Sequence, residues 1–276
     1  MSIPNSITRF GRNEPFDLQM SRGLVPYHVP LFKFGFNPDI NGTEETIWTQ
    51  GGNYPWPTSA AVAYVNSTDV DDTDGGTGAQ KVLVVGLDAD YNYIKEEVTM
   101  NGRTQVVTDA EFLRIFRAYV TLSGSSGGAE GTIYIAYGAG LDGSFIPTGT
   151  ITANLSGGNQ TQIAAYTVPA GKSLYLDDIN FTAAISAANH YATISFVARF
   201  PGSNTWRTLF INVIQSNQLI AKFEYPQGLP EKTDVECRAF TSNNNNLVGA
   251  SFQGILIDND ATNTSAPFNA FEGNLV

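Results

Sequence analysis

Apolar and polar positions alternate with a period of two along most of this chain, in short runs broken by Gly, Pro, Asn and Asp. That period puts every second side chain on one face of a β-strand. Ala61–Val65 is the first such run, followed by a polar turn from Asp69 to Gly76. Lys81–Val85 is expected to pair with Tyr93–Met100 across an acidic turn. Asn101-Gly102 then predicts a type I′ hairpin returning through Arg103–Thr108, because both residues tolerate positive φ. Phe112–Val120 alternates again, although Asp109–Arg117 is the one stretch that also admits a helical period; its β-branched and aromatic content favours strand. Thr132–Tyr137 follows a Gly/Ser loop.

A Gly-rich joint at 138–149 is read as a boundary. Beyond it, strands are expected at Gln162–Val168, Ser173–Ala183, Tyr191–Arg199, Thr205–Ile214, Gln218–Phe223, Asp234–Phe240 and Leu247–Ile257. Turn-forming groups such as Pro169-Ala-Gly and Pro201-Gly-Ser-Asn separate them. The expected fold class is all-β: two antiparallel β-sandwich or jelly-roll-like modules with extended terminal arms. The expected organisation is an arm and extended segment at 1–58, a first β module at 59–140, a second at 141–258 and a tail at 259–276.

The arm has two parts. Residues 1–25 are polar and without lasting period, and their start lacks the apolar core of a secretion signal. Residues 26–58 carry five prolines and many aromatics, so they are expected to be extended, mostly irregular and packed against something. The polar tail holds two spaced phenylalanines, Phe268 and Phe271. Neither end has the apolar content to fold alone, so both read as straps lying on a neighbour or on the chain's own body.

Composition narrows the function. The 276 residues are 42% hydrophobic, enough for a core, and no apolar run is long enough for a membrane span. Charge is scarce: 15 Lys+Arg and 26 Asp+Glu make 15% of the chain, with a net charge of −11. This excludes nucleic-acid binding through a broad basic surface. The single Cys237 excludes an intrachain disulfide and a cysteine-based zinc site, and it reads as a buried thiol.

Candidate chemistry is thin. No nucleophile elbow, P-loop, zinc-protease or dinucleotide motif occurs, and His28 and His190 read as turn histidines bonded to backbone. Asp69, Asp71, Asp72 and Asp74 cluster in one turn ending at Gly75, a donor set that suits calcium. The EF-hand pattern fails because its twelfth position is Gln80, so a solvated turn is the plainer reading. Asp177 and Asp178 alternate faces on a strand and do not converge, and no carboxylate pair marks a glycosidase. Trp48, Trp56 and Trp206, the last at a hairpin tip, are candidates for stacking on a glycan, with Tyr191 near a loop, but burial against the sandwich or a partner subunit is the plainer reading.

Five segments carry a resemblance. They are Phe34-Gly-Phe-Asn-Pro-Asp running on to Tyr54-Pro-Trp-Pro-Thr58, Gly78-Ala-Gln-Lys-Val-Leu-Val-Val-Gly-Leu-Asp-Ala-Asp-Tyr-Asn92, Glu97-Val-Thr-Met-Asn-Gly-Arg-Thr104, Phe112-Leu-Arg-Ile-Phe-Arg-Ala118 and Ala165-Tyr-Thr-Val-Pro-Ala-Gly-Lys172. As a set they resemble a family of virion structural proteins from tailed bacteriophages, common among phages of marine bacteria, over roughly residues 9–260. The resemblance implies no enzyme activity, cofactor or catalytic residue. It implies a virion component assembled in the host cytoplasm, and the favoured place is a head-associated decoration protein. Expected partners are further copies of itself, for example in a trimer, and virion proteins such as the major capsid protein; neither nucleic acid nor a membrane is expected. Tail or baseplate placement, or receptor recognition through a glycan, is the alternative. The expected contact residues are Phe32, Phe34, Phe36, Trp48, Trp56, Phe268 and Phe271.

Overall fold

The computed structural model describes residues 6–9, 12–137, 146–151, 158–185, 189–215 and 217–261. A hairpin of β1 (Ser6–Arg9) and β2 (Arg12–Pro15) leads into a six-residue helix, α1 (Phe16–Ser21). Two strands follow, β3 (His28–Ile40) and β4 (Glu45–Thr46). The first sandwich holds β5 (Ala61–Ser67), β6 (Ala79–Leu87), β7 (Tyr93–Thr99), β8 (Val106–Phe112), β9 (Arg114–Ser123), β10 (Ile133–Tyr137) and β11 (Ile146–Ile151). The second holds β12 (Ala165–Thr167), β13 (Lys172–Ala184), β14 (Ala192–Arg199), β15 (Arg207–Ile214), β16 (Asn217–Leu229), β17 (Asp234–Thr241) and β18 (Asn246–Asp258). The fold is all-β, and among the described residues every strand pairing is antiparallel.

In the first sandwich, a sheet ordered β11-β10-β5-β8 faces one ordered β7-β6-β9. Ala63, Val65, Ile133 and Ile135 from one sheet meet Val82, Val84, Val98 and Ala118 from the other. The run Val82-Leu-Val-Val-Gly-Leu87 is apolar at successive positions because β6 is covered on both faces. Val82 and Val84 point into the first core, whereas Val85 and Leu87 pack into the second with Phe116 of β9. The sheet β7-β6-β9 is therefore a shared wall between the two cores.

In the second sandwich, a sheet ordered β12-β17-β14-β15 faces one ordered β16-β13-β18-β3. Phe181, Phe196 and Phe252 are fully buried between them, each contributing about 2–3 kcal/mol of transfer free energy.

Three expectations are corrected. Residues 26–58 are not an irregular strap. β3 pairs along its length with β18, Phe32 opposite Gln253 and Phe36 opposite Gly249, and β4 pairs with β17. Pro30 and Pro38 are tolerated because β3 is an edge strand. The second sandwich thus takes strands from both sides of the first in sequence, and the first is an insertion within it. Gly35 makes the crossing feasible: a Cβ there would sit 2.1 Å from the Ile47 carbonyl oxygen and 2.3 Å from the Ala164 nitrogen. The boundary at 138–149 shifts too, since β11 pairs with β10 in the first sandwich.

The Asn101-Gly102 hairpin is the third correction. β7 and β8 belong to different sheets, β7 beside β6 and β8 beside β5. Only Gly102 takes positive φ, at 59°. Its N–H donates to the Asp72 carbonyl at 2.8 Å and its carbonyl accepts from Ser67 N at 2.9 Å. The pair carries the chain from one sheet to the other. α1 is a further element the periodicity does not announce.

Candidate functional site

β3 sets the clearest outward feature. Along it Lys33, Gly35 and Asn37 are buried, while Phe32 and Phe36 are exposed and Phe34 is half-buried. Period-two alternation puts the three phenylalanines on the solvent face of an edge strand. Phe32 and Phe34 stack with ring centroids 6.0 Å apart. Across the face the register sets Gln253, Ser251 and Gly249 beside them. Phe32 alone is 58% exposed. These three expected contact residues therefore do lie together at the surface.

Trp48 and Trp56 do not join them. Both are buried in a cluster with Tyr54, Ile163 and Ala165, against which Trp206 packs. Tyr54 is 5.5 Å from Trp48 and 4.9 Å from Trp56, and Trp56 is 5.1 Å from Trp206. The aromatic residues fill the gap where the 48–57 segment crosses from one sandwich to the other. Tyr54 Oη donates to the Ile115 carbonyl at 2.7 Å, and burial pushes its phenol far above the ordinary range. Phe268 and Phe271 lie outside the described residues.

Trp206 and Tyr191 are not brought together either. They sit at opposite ends of the β14–β15 pair, where Ala192 faces Ile214 and Ala198 faces Arg207. Some seven residues of strand separate them, about 20 Å at the usual rise. Arg199 and Arg238 lie over the Trp206 ring at 4.9 and 4.7 Å from its centroid. That ring is engaged by protein cations rather than open to a sugar.

The same seam holds a buried ionic network. Asp234 accepts from Arg114 at 3.3 Å, from Arg199 at 2.5 and 3.0 Å, and from Thr167 Oγ1 at 2.6 Å. Arg114 also donates to the Pro57 and Leu113 carbonyls. Glu236 accepts from Thr46 Oγ1 and Arg238, each at 2.6 Å. Burial raises the Glu236 carboxyl, and Arg238 pulls it back. Every cation here has carboxylate or carbonyl partners within the chain, so the network ties parts of the fold together.

The acidic turn divides differently from expectation. Asp72 is buried and faces inward: its carboxylate accepts from Ser67 Oγ at 2.5 Å, Ala79 N at 2.7 Å, and Glu130 N and Gly131 N at 2.9 Å each. Asp74 is not part of the cluster. Instead Asp69, Asp71 and Glu130 each bring one carboxylate oxygen to within 4.8 Å of the others. Glu130, supplied by a loop sixty residues on, has no signal in the local sequence. The turn is already shaped by protein donors to Asp72. Replacing Asp72 with alanine leaves these donors without an acceptor and should lower unfolding free energy by about 2–4 kcal/mol in a denaturant titration.

The remaining reactive side chains are engaged structurally. His28 Nδ1 lies 2.8 Å from the Pro26 carbonyl and His190 Nδ1 lies 3.0 Å from Ser242 Oγ. Cys237 is buried, and its thiol is pushed well up by burial and by Glu236 beside it. Among the described residues no helix is long and apolar enough to cross a membrane.

No protein-family model matches the sequence, and no curated protein matches it. One solved structure, the VP2 subviral particle of infectious bursal disease virus, aligns over 84% of this chain and 73% of that chain, at 8% identity and a TM-score of 0.21. A likeness that slight carries no argument.

Proposed function

We propose that this chain is a non-enzymatic structural component of a bacteriophage virion, a head-associated decoration protein that binds its neighbours through β3. The observation that carries this reading is the outward stripe of Phe32, Phe34 and Phe36 on an edge strand. An edge offers unpaired backbone groups, and aromatics offer area at low entropic cost, which together suit strand addition to another subunit. The resemblance of the sequence to virion proteins supports the same reading. So does a surface poor in charge, since interface cores are depleted in charged residues. The buried ionic network is consumed by the fold and supplies no chemistry that points elsewhere.

The test is incorporation into particles. Changing Phe32, Phe34 and Phe36 together to serine leaves the buried positions Lys33, Gly35 and Asn37 of β3 untouched, so the protein should still fold while its incorporation falls at least about tenfold. Wild-type levels of the triple variant in purified particles would refute the contact. Imaging then separates the two placements within the virion: density spread over the shell supports decoration, and density confined to the tail axis would replace it with a tail component.

A further inference from the structure

Lys33 occupies an unusual position. It lies on the inner face of β3, opposite Phe252, and is 8% exposed. Its ammonium donates to the Phe116 carbonyl at 2.5 Å and lies 5.5 Å from the Phe116 ring centroid. Among the described residues no ion pair joins it to a carboxylate. An ammonium buried without a counter-ion is costly, and a leucine or methionine would fill the place without that cost. An amine kept at this place can take up a proton to receive an anion.

A cavity of about 620 Å3 adjoins it, between the outer face of the shared wall and the edge of the second sandwich. Its volume is in the range of small-molecule sites. Thirteen residues line it, including Lys33, Arg117 and Lys172, and none is acidic. In a chain with 26 acids against 15 bases, that local inversion is the opposite of what composition would place there. Lys172 is paired with Asp258. Among the described residues Arg117 is not paired with a carboxylate: it donates to Gln160 Oε1 at 3.2 Å and lies over the Tyr119 ring. Two cations are thus available to a guest. Val29, Leu31, Val85, Phe116 and Leu256 supply an apolar wall.

We propose that this cavity binds a small amphiphile with one anionic head and an apolar body, of the class of medium-chain carboxylates, with Lys33 and Arg117 receiving the head. The inference does not depend on the virion role. The titratable groups that line the cavity with Lys33 are Arg117 from β9, Tyr93 from β7, Tyr166 from β12 and Lys172 from β13, the last paired with Asp258 of β18. Both phenols titrate above their ordinary range because of burial. Burial and Arg117 lower the Lys33 amine to about 7, so an arriving carboxylate should restore its proton.

Calorimetry on the full chain tests this with three probes: decanoate below its micellar concentration, decanol and inorganic phosphate. Decanoate is expected to saturate at one per chain, with decanol and phosphate each at least about tenfold weaker. At about pH 8, heats in two buffers of different ionisation enthalpy should show proton uptake on decanoate binding. Lys33→Met should weaken decanoate at least about tenfold, abolish the uptake and leave decanol unchanged, while melting no lower than the wild type. Non-saturating decanoate heats would overturn the proposal. So would equal affinity for decanol or phosphate, or unchanged decanoate affinity in Lys33→Met; that last result would leave Lys33 a tether to Phe116.

Discussion

Asp234→Ala is expected to be the most damaging single change in the molecule, costing about 3–5 kcal/mol of unfolding free energy. Asp234 is 4% exposed and holds two guanidiniums, those of Arg114 and Arg199, plus the Thr167 hydroxyl. The side chain of Arg114 is only 5% exposed. Its other partners are carbonyls, so removing Asp234 strands a buried charge. The loss should also be wide, because Arg114 belongs to β9 in the first sandwich and Asp234 to β17 in the second. A denaturant titration followed by probes in each sandwich checks this. A loss below about 1 kcal/mol would show that water replaces the carboxylate at little cost.

Lys33→Met should act in the other direction, and its effect should depend on pH. The amine falls from 10.5 to about 7 on folding, chiefly through burial. Between those values the folded chain binds fewer protons than the unfolded chain, so wild-type stability rises with pH across that window. The penalty is complete below about pH 7 and gone by about 10.5. The Phe116 carbonyl loses its donor in the variant, an opposing cost of about 1–2 kcal/mol. The net expectation is a gain on the order of 2 kcal/mol near pH 6, shrinking to nothing or reversing near pH 10. Denaturant titrations of both proteins at several pH values measure the difference directly. A constant difference would show that Lys33 is not buried as an uncompensated charge.

Much of the strand content was legible because alternation is a local signal. β13, β14, β15, β17 and β18 fall within a few residues of the runs that predict them. Sheet membership was not legible. Asn101-Gly102 carries a genuine turn signal, and the turn forms, but packing of Val82 and Val84 against Ala63 and Val65 decides that β7 and β8 lie in facing sheets. The prolines of 26–58 argued against strand, yet an edge position removes that objection. At the site, the phase of Phe32, Phe34 and Phe36 is readable in sequence, and the same phase puts Lys33 on the opposite face. What sequence could not show is that this opposite face is covered. Whether Trp48 and Trp56 cover the sandwich or a neighbour stayed open for the converse reason: residue type does not say whether an aromatic covers its own chain or a partner. Glu130 and Asp234 acquire their partners only through tertiary contact.

The pairing of β3 with β18 bears on how the protein is made. During synthesis β3 leaves the ribosome well before its ladder partner, because the whole first sandwich lies between them in sequence. The first sandwich, drawn from contiguous sequence, has its strands in hand well before then. The second cannot close until β18 has followed, and such long-range closure is slow. Until then the Phe32–Phe36 stripe sits on an unpaired strand, exposed to wrong partners. Chains cut short before β18 never acquire that strand's proper backing. Only chains translated through β18 present the stripe on a formed sheet.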